Sequence, residues 1–106
     1  VILILDGSLE EDEIREASEK VVAEASRLKK GFTVINDIAR FVPAKQEYLV
    51  HIQRAQKRVF DLGVSRVIRI VKSALAEMQF RRLQKQAGAD YETVEVGSME
   101  EALKLL

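Results

Sequence analysis

The chain has 106 residues, 47% apolar and 32% charged, with a single proline, enough for one packed core and too few for two. Cysteine is absent, which excludes disulfide frameworks, thiolate metal sites, iron–sulfur clusters and cysteine nucleophiles. Seventeen basic and seventeen acidic side chains cancel, and the longest unbroken apolar run, Val1 to Leu5, is far too short for a membrane span or signal segment.

Val1-Ile2-Leu3-Ile4-Leu5 is apolar at every position, the pattern of a strand covered on both faces, and Asp6-Gly7 ends it. Ser8-Leu9-Glu10-Glu11 has the spacing of a capping box and predicts a helix start. Ile14, Ala17, Val21, Ala25 and Leu28 then recur at helical spacing, and Lys29, Lys30 and Gly31 suit a helix end. Phe32 to Ile38 reads as the second strand. Pro43 suits the first turn of the second helix, whose core face is Tyr48, Ile52, Ala55, Val59 and Leu62, with Gly63 as its stop.

Arg66 to Val71 is the third strand. Ser73 caps the next helix, with Ala76, Phe80, Leu83 and Ala87 as its buried stripe and Gly88 as its end. Glu92 to Val96 alternates as a fourth strand, and Ser98-Met99-Glu100-Glu101 is a second capping box before a short helix ending at Leu106. This β-α-β-α-β-α-β-α order predicts one α/β domain over residues 1–106, with mostly parallel strands joined by right-handed crossovers. Arg69, Thr93 and Glu95 place polar groups inside the third and fourth strands. The expectation is therefore that helices gather mainly on one face and that those polar groups mark a partly open opposite face.

Leu5-Asp6-Gly7-Ser8-Leu9, Ile35-Asn36-Asp37-Ile38-Ala39-Arg40-Phe41-Val42, the strand Val67 to Val71 with Ser73, and Met99-Glu100-Glu101-Ala102-Leu103 together resemble the STAS domain of sulphate transporters and anti-sigma-factor antagonists. The resemblance implies an open mixed sheet in which an additional antiparallel strand precedes Val1, so that residues upstream belong to the fold. Signalling members carry a phosphorylated hydroxyl at the start of the second helix. Here that position reads Pro43-Ala44-Lys45-Gln46, without a hydroxyl, and a phosphorylation switch is not expected. A branch that also looks like a small Sec14 lipid carrier fits better, and it implies a non-catalytic binding or regulatory domain in the cytoplasm.

His51 is the only histidine, four residues after Glu47 and three before Arg54, a spacing that suits an exposed helical pair better than catalysis or metal binding. Asp37, Arg40, Lys45, Lys72 and Ser73 are expected along the carboxyl edge of the sheet, where ligands of open parallel sheets gather. The plainer use of Asp37 and Ser73 is to cap turns and helices. Val50, Leu75, Met78 and Arg82 lie off the predicted core stripes and are expected to form an apolar groove, a dimer contact or a membrane-facing patch.

No metal is implied, because no second His and no carboxylate stands at ligand spacing, and no cofactor is implied, because the glycines are isolated and form no phosphate loop. Arg54, Lys57, Arg58, Arg81, Arg82 and Lys85 make the second and third helices basic, but without an aromatic stacking platform nucleic acid is not expected. The neutral total is a cancellation. Residues 1–26 carry 2 basic and 8 acidic groups, residues 27–86 carry 14 and 4, and residues 87–106 carry 1 and 5. The expected partners are accordingly another protein or a second copy of the chain, a lipophilic ligand, or an anionic membrane surface. A small hydrolase using Asp37 and His51 is the weakest alternative.

Overall fold

Four strands, β1 (Ile2–Ile4), β2 (Thr33–Asp37), β3 (Arg66–Ile70) and β4 (Glu92–Val96), lie side by side in that order, and every ladder is parallel. The architecture comes from a computed structural model describing residues 1–106. Between and after the strands run α1 (Glu11–Ala25), α2 (Leu49–Asp61), α3 (Ala74–Ala87) and α4 (Met99–Lys104). Each strand joins its neighbour through one helix, and right-handed crossovers that always step the same way place α1, α2 and α3 on one face. α4 follows the last strand, is not a crossover, and packs on the other face through Met99 and Ala102.

The register assigns side chains to faces. Leu3, Asn36, Arg69 and Glu95 form one row across the four strands, and Ile2, Ile35, Ile68 and Val94 form the neighbouring row on the opposite face. The polar row lies beneath the three helices, because Arg69 approaches Phe80 and Gln84 of α3 and Glu95 pairs with Arg81. This corrects the expectation that Arg69, Thr93 and Glu95 mark the open face. The more open face has an apolar centre flanked by Thr33, Asp37, Arg66 and Glu92: α4 is short and covers Ile35, Ile68 and Ile70, leaving Ile2 and Ile4 on β1 52% and 57% exposed.

The helix-side core has two parts. Ile14, Leu49, Ile52, Ala76, Phe80 and Leu83 pack beyond the carboxyl ends of the strands with Leu5, Ile38 and Phe41, and the Phe41 and Phe80 rings meet edge to face at 5.5 Å. Val21, Ala25, Ala55 and Val59 cover Val34 and Val67 at the other end. The helical spacings thus identify most of the buried stripes. Leu28 is exposed, Tyr48 and Leu62 remain partly exposed, and Leu49, Ser18 and Gln56 are buried instead.

Helix ends differ from the sequence reading for local reasons. α1 starts after Glu10, whose amide donates to Glu13 Oε1 at 3.0 Å, so Ser8 and Glu11 are not the capping pair. Glu11, Asp12 and Glu13 then complement the positive end of the helix dipole. α1 stops at Ala25, where the Ser26 hydroxyl donates to the Ala23 carbonyl at 2.7 Å, and Lys29 and Lys30 fall outside it.

Pro43 does not begin α2. Gln79 holds Ala44 from both sides, accepting from its amide at 3.3 Å and donating to its carbonyl at 3.1 Å, so the chain coils only at a 3-10 turn over Gln46–Tyr48 before α2. Ser73 and Ser98 do cap, accepting from the amides of Ala76 and Glu101 at 3.3 and 3.2 Å. The Glu101 carboxylate accepts from Gly97 N at 2.9 Å, and α4 ends at Lys104. Glycine is required at Gly63, where φ is +94° and an added Cβ would stand 2.8 Å from Lys30 Cγ.

Candidate ligand site

The residues expected along the carboxyl edge are engaged one by one. Asp37 Oδ1 accepts from the Ala39 amide at 3.0 Å, which is its turn-capping use. Arg40 pairs with Asp6 at 3.4 Å in an exposed contact, and Lys45 sits 5.7 Å from the Tyr48 ring centre. Lys72 and Ser73 share a shallow depression with Glu77 and Glu95, on the β4 side, and Ser73 caps α3.

Leu75, Met78 and Arg82 come together on the outer surface of α3, in an open groove of about 550 Å³ completed by Pro43, Arg81 and Lys85. Leu75 is 66% and Met78 59% exposed, whereas Val50, although exposed on α2, lies outside that groove. His51 lines a separate groove of about 470 Å³ between α1 and α2, with Arg15, Glu19, Arg54 and Arg58. Glu47 belongs to the 3-10 turn rather than to α2, so the regular helix that an i, i+4 pair needs begins only after it. No cluster of three or more His, Asp or Glu side chains is arranged to hold a metal ion, and no helix is long and apolar enough to cross a membrane.

A different cleft, of about 480 Å³, opens between α3 and the outer strand β4. Its construction follows from three periodicities. Arg81, Gln84 and Lys85 stand at i, i+3 and i+4 on α3 and so share one face; Thr93 and Glu95 stand at i and i+2 on β4; and the β3–β4 register sets Arg69 beside Glu95. Gly88 closes the cleft at its lower end, with φ at +68° turning the chain from α3 through Asp90 to Tyr91.

Arg69 lines this cleft from inside the protein. It is 2% exposed, has no carboxylate within 4.0 Å, and leaves its Nε without a hydrogen-bond partner. Its guanidinium carbon lies 5.4 Å from the centre of the Phe80 ring, a cation–π contact, and Nη2 reaches Gln84 Oε1 only at 3.5 Å. Gln84 also accepts from the Thr93 hydroxyl at 3.3 Å and donates to the Tyr91 carbonyl at 3.3 Å, so it ties α3 to the approach of β4. A buried guanidinium normally keeps an ionic partner in contact, because desolvating it is costly.

Electrostatics repeat the point. Burial pushes the pKa of Arg69 down, while Tyr91, through its charge and its hydroxyl as a polar partner, and the Glu95 and Glu77 carboxylates push it back up. The buried Tyr91 phenol is raised by desolvation, against the pull of Arg69. Arg81 holds both Glu77 and Glu95, the latter at 3.2 Å, and the neighbouring Glu95 carboxylate, together with burial, raises the Glu77 pKa despite the nearby arginines. Lys85 makes no ion pair.

Arg69, Thr93 and Glu95 were visible in the sequence as polar residues inside strands; their joint placement under α3 was not. Gln84 and Tyr91 gave no sequence signal of a site. Compared with known protein families, characterised proteins and solved structures, the chain matches none.

Proposed function

We propose that this chain is a non-catalytic STAS-like binding module of the cytoplasm that holds a small ligand in the cleft between α3 and β4. The observation that carries the reading is Arg69: a guanidinium almost wholly buried yet lining a cleft of about 480 Å³, within the usual ligand-pocket range of roughly 300–1,000 Å³. The STAS-like assignment rests on the sequence resemblance and on the strand–helix order. A lipophilic ligand is a poorer fit, since the apolar void between α1, α2 and the sheet measures only about 40 Å³.

The test is a thermal-shift series with inorganic phosphate, malonate, spermidine and glucose, followed by mass analysis of the recovered compound. A concentration-dependent rise in Tm with at least one of them, lost in Arg69→Met and with the compound unchanged, is the expected result. No shift with any compound, a shift that survives Arg69→Met, or conversion of the compound would overturn the reading.

One observation favours a second reading. Exposed Leu75 and Met78 beside Arg81, Arg82 and Lys85 form an apolar stripe with a basic rim, suited to an anionic membrane surface. Sedimentation with phosphatidylserine vesicles, weakened by salt and by Arg82→Glu, supports it; equal recovery with neutral vesicles removes it.

A further inference from the structure

The ligand's charge follows from which cations in the cleft lack an ion-pair partner. Three cations, Arg69, Arg81 and Lys85, line it against two carboxylates, Asp90 and Glu95. Arg81 is shared between Glu95, at 3.2 Å, and Glu77, so neither of those carboxylates forms an ion pair with Arg69 or Lys85, and Asp90 is the remaining carboxylate of the lining. Asp90 forms an ion pair with neither of these two cations. The neutral groups beside Arg69 add a donor: the Thr93 hydroxyl now donates to Gln84, and it is free to turn to another acceptor.

From this, and resting on the binding-module reading above, we infer that the cleft is an oxyanion site for a small carboxylate or phosphoryl compound, with Arg69 as its buried anchor and Lys85 at its mouth. The contact between Arg69 Nη2 and Gln84 Oε1 is at 3.5 Å, the outer limit of a hydrogen bond, and is the easiest one for an incoming anion to replace. A charged acceptor there makes a charge-assisted hydrogen bond, shorter and stronger than the neutral amide contact. The arrangement favours planar or tetrahedral oxyanions over amines and neutral sugars, because an amine would meet two cations and a sugar would leave the guanidinium uncompensated.

The experiment is an amide and side-chain NMR titration of the whole chain with inorganic phosphate and, separately, malonate, with spermidine and glucose as controls. Saturable shifts at the Gln84 side-chain amide, Thr93 and Gly88 are expected with at least one anion, and which of the two binds more tightly separates phosphoryl from carboxylate ligands. Arg69→Met is expected to weaken that binding about tenfold or more, the scale of a lost charge-assisted bond, and exposed Lys85→Gln about twofold. Should Arg69→Met fail to fold, Thr93→Val serves in its place with a loss of about fivefold.

Shifts for neither anion, or unchanged affinity in Arg69→Met and Lys85→Gln, would overturn the oxyanion assignment. Spermidine or glucose seated at these same groups in an Arg69-dependent way would also overturn it, while leaving the binding-module reading standing.

Discussion

The two faces of the sheet solve opposite problems. Beneath α1, α2 and α3 the central row carries Asn36, Arg69 and Glu95, so a face roofed by three helices contains polar and charged groups. Beneath α4 the central residues Ile35, Ile68, Ile70 and Val96 are apolar, with Asp37 and the row Thr33, Arg66 and Glu92 at the margins, yet only a helix of six residues covers them and β1 is left bare. Coverage and polarity are therefore uncoupled here. A strand's polar residue reports the chemistry of the space above it, not whether that space is open to solvent.

This contrast is broken or sharpened by substitution on each face. Ile68, fully buried under α4, makes the largest difference: Ile68→Ala is expected to cost about 2–5 kcal/mol in urea unfolding, from lost burial plus the cavity left behind. A loss under about 1 kcal/mol would mean that α4 is not a packed roof. Ser98→Ala removes the cap that starts α4 and is expected to cost about 1 kcal/mol by the same measurement.

Arg69→Met exchanges a buried charge for a shorter apolar chain, and Gln84 keeps its bond from Thr93, so the relieved desolvation offsets the space left behind and stability is expected to change by less than about 1 kcal/mol or to rise. A loss of several kcal/mol would show that the contacts of Arg69 with Phe80 and Gln84 carry the fold. Ile4→Thr, on the bare end of the apolar face, is expected to stay within about 0.5 kcal/mol.

The pH dependence sharpens the polar face. Because the folded Glu77 carboxyl binds its proton more tightly than the unfolded one, its contribution is greatest at low pH and is lost as pH rises from the ordinary carboxylate range through the raised value. The stability difference between the parent chain and Glu77→Gln, followed by thermal unfolding from about pH 4 to about pH 7, is expected to shift against the parent as pH rises. A difference independent of pH would mean that Glu95 does not hold the Glu77 pKa up.

Much of the fold was legible in the residues themselves. Ile14, Val21 and Ala25, then Ile52, Ala55 and Val59, then Ala76, Phe80 and Leu83 declare their helix faces, since burial along a helix must follow its turn. Ser73, Ser98, Gly63 and Gly88 mark element ends by local chemistry alone. The site was less legible because alternation along a strand separates two faces without saying which one the helices cover. Arg69 and Glu95 became neighbours only through the β3–β4 register, and Gln84 joined them only through the direction in which α3 runs back over the sheet. The edge residues Asp37, Arg40 and Lys45 were easy to see and turn out to have local partners.

The sequential strand order also bears on how the chain reaches its native state. Ile2 pairs with Ile35, Ile35 with Ile68, and Ile68 with Val94, so successive ladders close loops of 33, 33 and 26 residues. No strand must wait for a segment from the far end of the chain, as it would in a sheet whose order reverses midway. The entropy of loop closure is met in three steps of similar size, and each step adds one strand to an existing edge. Assembly can spread in either direction from β2 and β3, making this small parallel sheet kinetically closer to a stack of repeats than to a doubly wound fold.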